Sequence, residues 1–185
     1  MVGDVCGKGA EAAALTAMVR YTVRAECLHH SSPGEVLGLL NEAILRQLED
    51  GRFCTAIHGR FKVGADGAQI SLASAGHPAP LVLRADGPVE TVACSGPLLG
   101  VIPAVVHPDV IVQLSAGDAL LCFTDGVTEG RGEDGMYGDE RLAALLATCV
   151  GEHAAGIADR IVEDALAFQG GRTQDDLALL VLSVP

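Results

Sequence analysis

FCTAIHGRFKV (53–63) and AQISLASAG (68–76), joined across Ala65-Asp66-Gly67, carry the change of period that decides the fold. Before them, apolar residues recur at helical spacing. Leu15, Met18, Val19, Thr22 and Val23 mark one amphipathic helix, and Val36, Leu40, Ile44 and Leu48 a second. Ser32, Pro33 and Glu35 form a capping-box start for the second helix, which is expected to stop at Asp50-Gly51 and to pack against the first as an antiparallel hairpin. From residue 52 the segments become short and β-rich. PLVLRA (80–85), VETVAC (89–94), VIVQL (110–114) and ALLCFTD (119–125) follow, and the turns include AGHPAP and ADGP. Helical spacing returns at DERLAALLATCV (139–150) and AAGIADRIVEDALAF (154–168), and DLALLVLSV (176–184) reads as a buried strand. A helix pair, antiparallel strands, two helices and a strand make an α+β domain rather than alternating βαβ units.

The chain has 185 residues, and nearly half of them are hydrophobic. One domain of that size buries roughly 70% of its unfolded surface, so a substantial core is expected over 1–185. The net charge is −12, from 24 acidic and 12 basic residues, with no basic cluster, which disfavours a nucleic-acid partner. No apolar run reaches the ~18 residues of a membrane span, and no leader precedes the first motif, so a cytoplasmic protein is expected. Six cysteines at 6, 27, 54, 94, 122 and 149 lack metal-site spacing, and most lie in apolar stretches. They are expected to be reduced, structural thiols.

Three aspartate turns border strongly apolar segments: Gly3-Asp4-Val5, Thr124-Asp125-Gly126 after ALLCF, and Gln174-Asp175-Asp176 before LALLVL. An Asp beside Gly is often only a turn former. Carboxylates at strand ends on one rim also collect Mg²⁺ or Mn²⁺, hard cations that prefer oxygen. A metal pair of this kind activates water and clamps a phosphoryl group for in-line displacement. Spacing alone leaves both readings open. GDVCGKG (3–9) does not fit the phosphate-binding pattern GxxxxGK[ST]. Its glycines enclose one residue too few, and Lys8 is followed by Gly9 rather than a hydroxyl residue.

Taken in order, GDVCGKGAEAAALTAM, FCTAIHGRF, SLASAGHPAPLVL, GPLLGV, LSAGDALLCFTDGVTEGR, MYGDERL and TQDDLALLVL span residues 3 to 182. Together they resemble the SpoIIE-type, RsbU-like branch of the PPM (protein phosphatase 2C-like) serine/threonine phosphatases. The resemblance implies an α-β-β-α sandwich of two antiparallel sheets flanked by helix pairs. It implies a binuclear Mn²⁺ or Mg²⁺ centre that hydrolyses phosphoserine or phosphothreonine without a protein nucleophile. The implied ligands are Asp4, the Val5 carbonyl, Asp125 and Asp175, with Asp176, Gly126, His77 and Glu129 in support. His77 has two readings, a general acid or a residue fixing the corner before Pro78. Lys8 has two as well, a phosphate contact or a turn residue facing solvent. Where eukaryotic relatives carry a His, two places after the turn Asp, this chain has Cys6. The implied substrate is a phosphorylated STAS-type anti-anti-sigma protein, and an N-terminal sensor domain would communicate through the helix pair.

One departure from the pattern shapes the functional expectation. The family carries a GGD-x-x-D strand ahead of the GD turn, and nothing before Val2 supplies it. The expectation is an N-terminally truncated domain with a depleted metal centre. The alternative reading is a catalytically impaired fragment or pseudophosphatase that acts as an interaction module.

Overall fold

The computed structural model describes residues 1–47, 51–65, 67–133, 135–173 and 175–185. The expected stop at Asp50, the helix-stripe residue Leu48, the loop residue Asp66 and the turn residue Gln174 lie outside the described residues.

The chain builds four layers. Strands β1 (Val2–Val5), β2 (Cys54–Gly64), β3 (Gly67–Ala75) and β6 (Val110–Leu114) form one antiparallel sheet in the order β1-β2-β3-β6. Strands β4 (Leu81–Leu83), β5 (Val89–Thr91), β7 (Ala119–Phe123) and β10 (Leu179–Ser183) form the other, in the order β10-β7-β4-β5. Helices α1 (Ala10–Glu26) and α2 (Pro33–Gln47) cover the first sheet. Helices α4 (Asp139–Ala147) and α5 (Ala154–Phe168) cover the second. A single-turn helix, α3 (Asp125–Thr128), and a hairpin of β8 (Arg131–Gly132) and β9 (Gly135–Met136) complete the described elements.

Side-chain alternation along the strands produces this layering. Ile57, Ile70 and Leu72 meet Val82, Leu120 and Cys122 between the sheets. The intervening Ala56, Ala73 and Ala75 face outward, where their small size lets Leu37, Leu40 and Ile44 of α2 sit close on the sheet. On the other side Leu81, Leu121 and Phe123 take Leu142, Leu146, Ile157 and Ile161. Every residue of β7 is therefore buried, which is why ALLCF reads as an unbroken apolar run. Burial of each such side chain contributes about 1.5–3 kcal/mol.

Turns and caps set the register. Gly64 and Gly67 pair across the β2–β3 hairpin, and Gly67 (φ +132°) has no room for a side chain, because a Cβ would lie 2.1 Å from the Leu114 carbonyl oxygen. Ser32 Oγ accepts the Glu35 N–H at 3.1 Å, as the capping-box reading expects. Asp109 adds a second cap from 75 positions further along the chain, accepting the Gly34 N–H at 2.7 Å. Buried Asn41 ties α2 to the loop after β5, accepting from Gly100 N–H and donating to the Ile102 carbonyl.

Two local readings are corrected. Gly3-Asp4-Val5 is not a turn but the end of β1, paired in register with β2 as Gly3↔Ala56, Asp4↔Thr55 and Val5↔Cys54. The ladder overrides the glycine's preference for a turn, and the chain bends only at Cys6–Gly9, where Gly7 and Gly9 have positive φ. The turn expected at Asp125 is a single turn of helix. The second correction is at VETVAC, which is a strand only to Thr91.

The six cysteines are unpaired. Burial pushes the Cys54 thiol up to about 12 and Cys122 to about 11, so both stay protonated. No described helix is long and apolar enough to cross a membrane.

Asp118, just before β7, ties the turn after β6 to the end of β4. Burial pushes its carboxyl up, but bonds from Ser115 N–H, Ala85 N–H and the Arg84 guanidinium outweigh that and hold it below its ordinary 3.8. A carboxylate held low contributes stability above its unfolded pKa and loses it as pH falls through the folded value. Asp118→Asn should cost about 1–3 kcal/mol near neutral pH by chemical denaturation. The difference from the native chain should close as the pH drops below 3.8.

Candidate metal centre

The three aspartate motifs, far apart in sequence, meet at one end of the sandwich. Asp4 lies near the end of β1, Asp125 just past β7, and Asp175 and Asp176 just before β10. Pairing of β10 with β7 brings the last two motifs together, in the register Leu179↔Phe123. A cleft of about 910 Å³ is lined by Asp4, Val5, Asp125, Asp175 and Asp176, with Lys8, Thr55 and Thr124 beside them. Its wall on one side is the start of α1, at Ala12, Ala13 and Thr16.

The electrostatics record the convergence. Asp4 is pushed above its ordinary pKa first by burial and then by the negative charge of Asp125, with smaller contributions from Asp175 and Asp176. A bond involving the Val5 backbone acts in the opposite direction. Like charges this close disfavour full ionisation unless a cation joins them. The donors are all oxygen, the set that hard divalent ions prefer. The fit is open rather than closed. Among the described residues, no three His, Cys, Asp or Glu side chains are grouped tightly enough to hold an ion by themselves. Coordination here needs further oxygens, from backbone carbonyls, water or phosphate.

Two features that the sequence reading did not single out hold the carboxylates in place. Thr124, buried at the end of β7, donates its hydroxyl to the Asp176 carbonyl at 3.0 Å and accepts the Ala178 N–H at 3.0 Å. Its own N–H donates to the Ala178 carbonyl. The hydroxyl therefore fastens the Asp175-Asp176 loop to the strand that presents Asp125. A threonine placed just before an aspartate at a strand end is the signal that could have marked it. Gly126 completes the junction, since a Cβ there would lie 2.4 Å from the Asp176 carbonyl oxygen. The second feature is Gln169, at the end of α5, whose amide reaches the Gly126 carbonyl at 3.5 Å.

His77 sits behind the cleft rather than on its wall. It is buried, and its Nδ1 pairs with Thr55 Oγ1 at 2.9 Å, directly across the ladder from Asp4. Burial lowers its pKa, and the charge of Asp125 partly opposes that. The imidazole thus buttresses the strand opposite Asp4, and its carbonyl accepts from Ser74 Oγ. Glu129 is exposed in a smaller side cleft with Asp125 and Asp175, and its N–H donates to the Asp125 carbonyl at 2.7 Å. Cys6 is exposed in the main cleft.

This geometry can be set beside known proteins. The sequence model of the SpoIIE family, described as Stage II sporulation protein E, matches residues 1–185. Phosphoserine phosphatase RsbU of Bacillus subtilis (strain 168) is 28% identical over 182 residues, 98% of this chain and 54% of that protein. The chain thus spans about half the length of this relative. The solved RsbU and RsbW domains of Rv1364c from Mycobacterium tuberculosis superpose with a TM-score of 0.76. That structure is 28% identical and is covered over 97% of this chain and 49% of its own. The catalytic domain of serine threonine protein phosphatase PstP, in complex with two manganese ions, shares the fold at a TM-score of 0.66. It is 17% identical, with 97% of this chain and 89% of that one covered. The expected sandwich of two antiparallel sheets between helix pairs is the fold observed, and the match over every residue from 1 to 185 shows that the chain belongs to the SpoIIE family.

Proposed function

We propose that the chain is a metal-dependent protein serine/threonine phosphatase domain. Its substrate is phosphoserine on a regulatory protein of the STAS-type anti-anti-sigma class, in cytoplasmic partner-switching signalling. The observation that carries the reading is the convergence of Asp4, Asp125 and Asp175 on one cleft in a chain of this family. Its relative RsbU bears the name phosphoserine phosphatase, and Rv1364c carries RsbU and RsbW domains in one protein.

In this reading Asp4, Asp125, Asp175 and the Val5 carbonyl hold a binuclear Mn²⁺ or Mg²⁺ centre, and Asp176 shapes the loop. When bound, the cations supply Lewis-acid activation of water and neutralise phosphoryl charge. The protein's part is placement. Thr124 and Gly126 keep the Asp125 and Asp175 motifs in contact, and the Thr55–His77 pair backs Asp4. Hydrolysis uses no protein nucleophile. The α1–α2 pair, whose first turn walls the cleft, is the element through which an N-terminal sensor domain would act.

The open donor set favours one second reading, a catalytically impaired domain that uses the fold for partner binding. Mn²⁺ calorimetry together with hydrolysis of a phosphoserine peptide separates the two. The phosphatase reading expects Mn²⁺-dependent turnover that falls at least ~100-fold in Asp125→Asn, with weaker Mn²⁺ binding. Absence of both metal binding and turnover in the native chain favours the module.

Thr124→Val, close in shape but without the hydroxyl, should lower stability by about 1–3 kcal/mol. It should also weaken Mn²⁺ binding without removing a ligand. An unchanged calorimetric titration would show that the Thr124 bonds do not position the carboxylates.

A further inference from the structure

The hairpin that follows α3 has no part in holding the carboxylates, yet it is fixed with unusual closeness. A Cβ at Gly130 would lie 2.3 Å from Gln169 Nε2, and one at Gly132 would lie 2.6 Å from the Phe168 carbonyl oxygen. Both glycines therefore press their backbone onto the end of α5. Tyr137 N–H donates to the Gly130 carbonyl at 2.9 Å, and Gly138 N–H to the Thr128 carbonyl at 2.8 Å, closing the segment on its other side. In an extended segment successive side chains point to opposite sides. Arg131, between two glycines seated on the helix, is turned away from it. Its side chain lines a polar cleft of about 180 Å³ together with Asp125, Glu129 and Asp175. It is exposed, and among the described residues it has no hydrogen-bond or ion-pair partner.

We propose that Arg131 is a phosphoryl-binding residue of this site, its guanidinium taking non-bridging oxygens of the substrate's phosphoserine. The inference rests on the phosphatase reading and names a residue outside its ligand set. A phosphoserine carries about −1.5 to −2 charges near neutral pH. It must approach a rim already crowded with Asp4, Asp125, Asp175 and Asp176. A fixed cation beside the carboxylates offsets that repulsion, and a planar guanidinium matches two phosphate oxygens at once. Of the other cations nearby, Arg52 pairs with Glu11, and Lys8, on the main cleft, is a point charge without the planar fork of a guanidinium. The backbone seating of Gly130 and Gly132 gives Arg131 a fixed base.

Calorimetric titration of inorganic phosphate into the Mn²⁺-loaded chain tests this. Arg131→Ala should weaken phosphate binding at least ~10-fold, Arg131→Lys should recover part of the loss, and Lys8→Ala should change it less than ~3-fold. Mn²⁺ affinity should be the same in all variants. Three results overturn the assignment: no phosphate binding by the native chain, phosphate affinity in Arg131→Ala within about twofold of native, or a parallel loss of Mn²⁺ affinity. Phosphoserine-peptide turnover by the native chain is scored separately. Turnover with phosphate affinity indifferent to Arg131 removes this inference and leaves the phosphatase reading. Arg131-dependent phosphate binding without turnover does the reverse.

Discussion

Carboxylates of like charge repel, and this structure holds four of them at one rim. Asp4 is pushed above its ordinary pKa first by burial and then by the charge of Asp125. Nothing in the carboxylates themselves keeps them together. The force comes from the three apolar layers, which fix β1, β7 and β10 so that their ends coincide. The core of the sandwich thus works against the electrostatics of its own rim, and a bound divalent ion would relieve the conflict. Such a cation binds the folded chain in preference to the unfolded one and so adds to its stability.

The supports around the rim are all short and local. Thr124 fastens one loop with a single hydroxyl, and Gly126 admits the Asp176 carbonyl where any side chain would exclude it. Thr55 and His77 stand behind Asp4 in the same way. Each support joins neighbouring segments of one sheet that are apart in sequence, by 52 positions for Thr124 and Asp176 and by 22 for Thr55 and His77. The site is therefore stiff where the ligands are presented and open toward the cleft.

Much of this was legible in the sequence, and the misses share a cause. The helix stripes led by Leu15 and Val19, and by Val36 and Leu40, report burial on one face, which periodicity encodes directly. ALLCF announced a strand covered on both sides. The convergence of the aspartate motifs could be expected only through resemblance, because spacing says nothing about which strand ends meet. Gly3-Asp4-Val5 looks like a turn in the sequence because the strand that pairs with it begins only at Cys54. Thr124 and Gln169 escaped for the same reason, since their partners, Asp176 and Gly126, lie 43 or more positions away along the chain. What single-sequence reasoning lacks is long-range pairing, and the site consists of little else.

The placement of Asp4 on β1 and Asp175 just before β10 has a consequence for how the protein is made. On a ribosome Asp4 and its partner strand β2 emerge early, but Asp125 and the Asp175-Asp176 loop follow much later in the chain. A nascent chain without the last motif lacks part of the lining of the shared cleft. Capture of metal is then a late event that reports completion of the sandwich, so an incomplete translation product would leave its cations in solution.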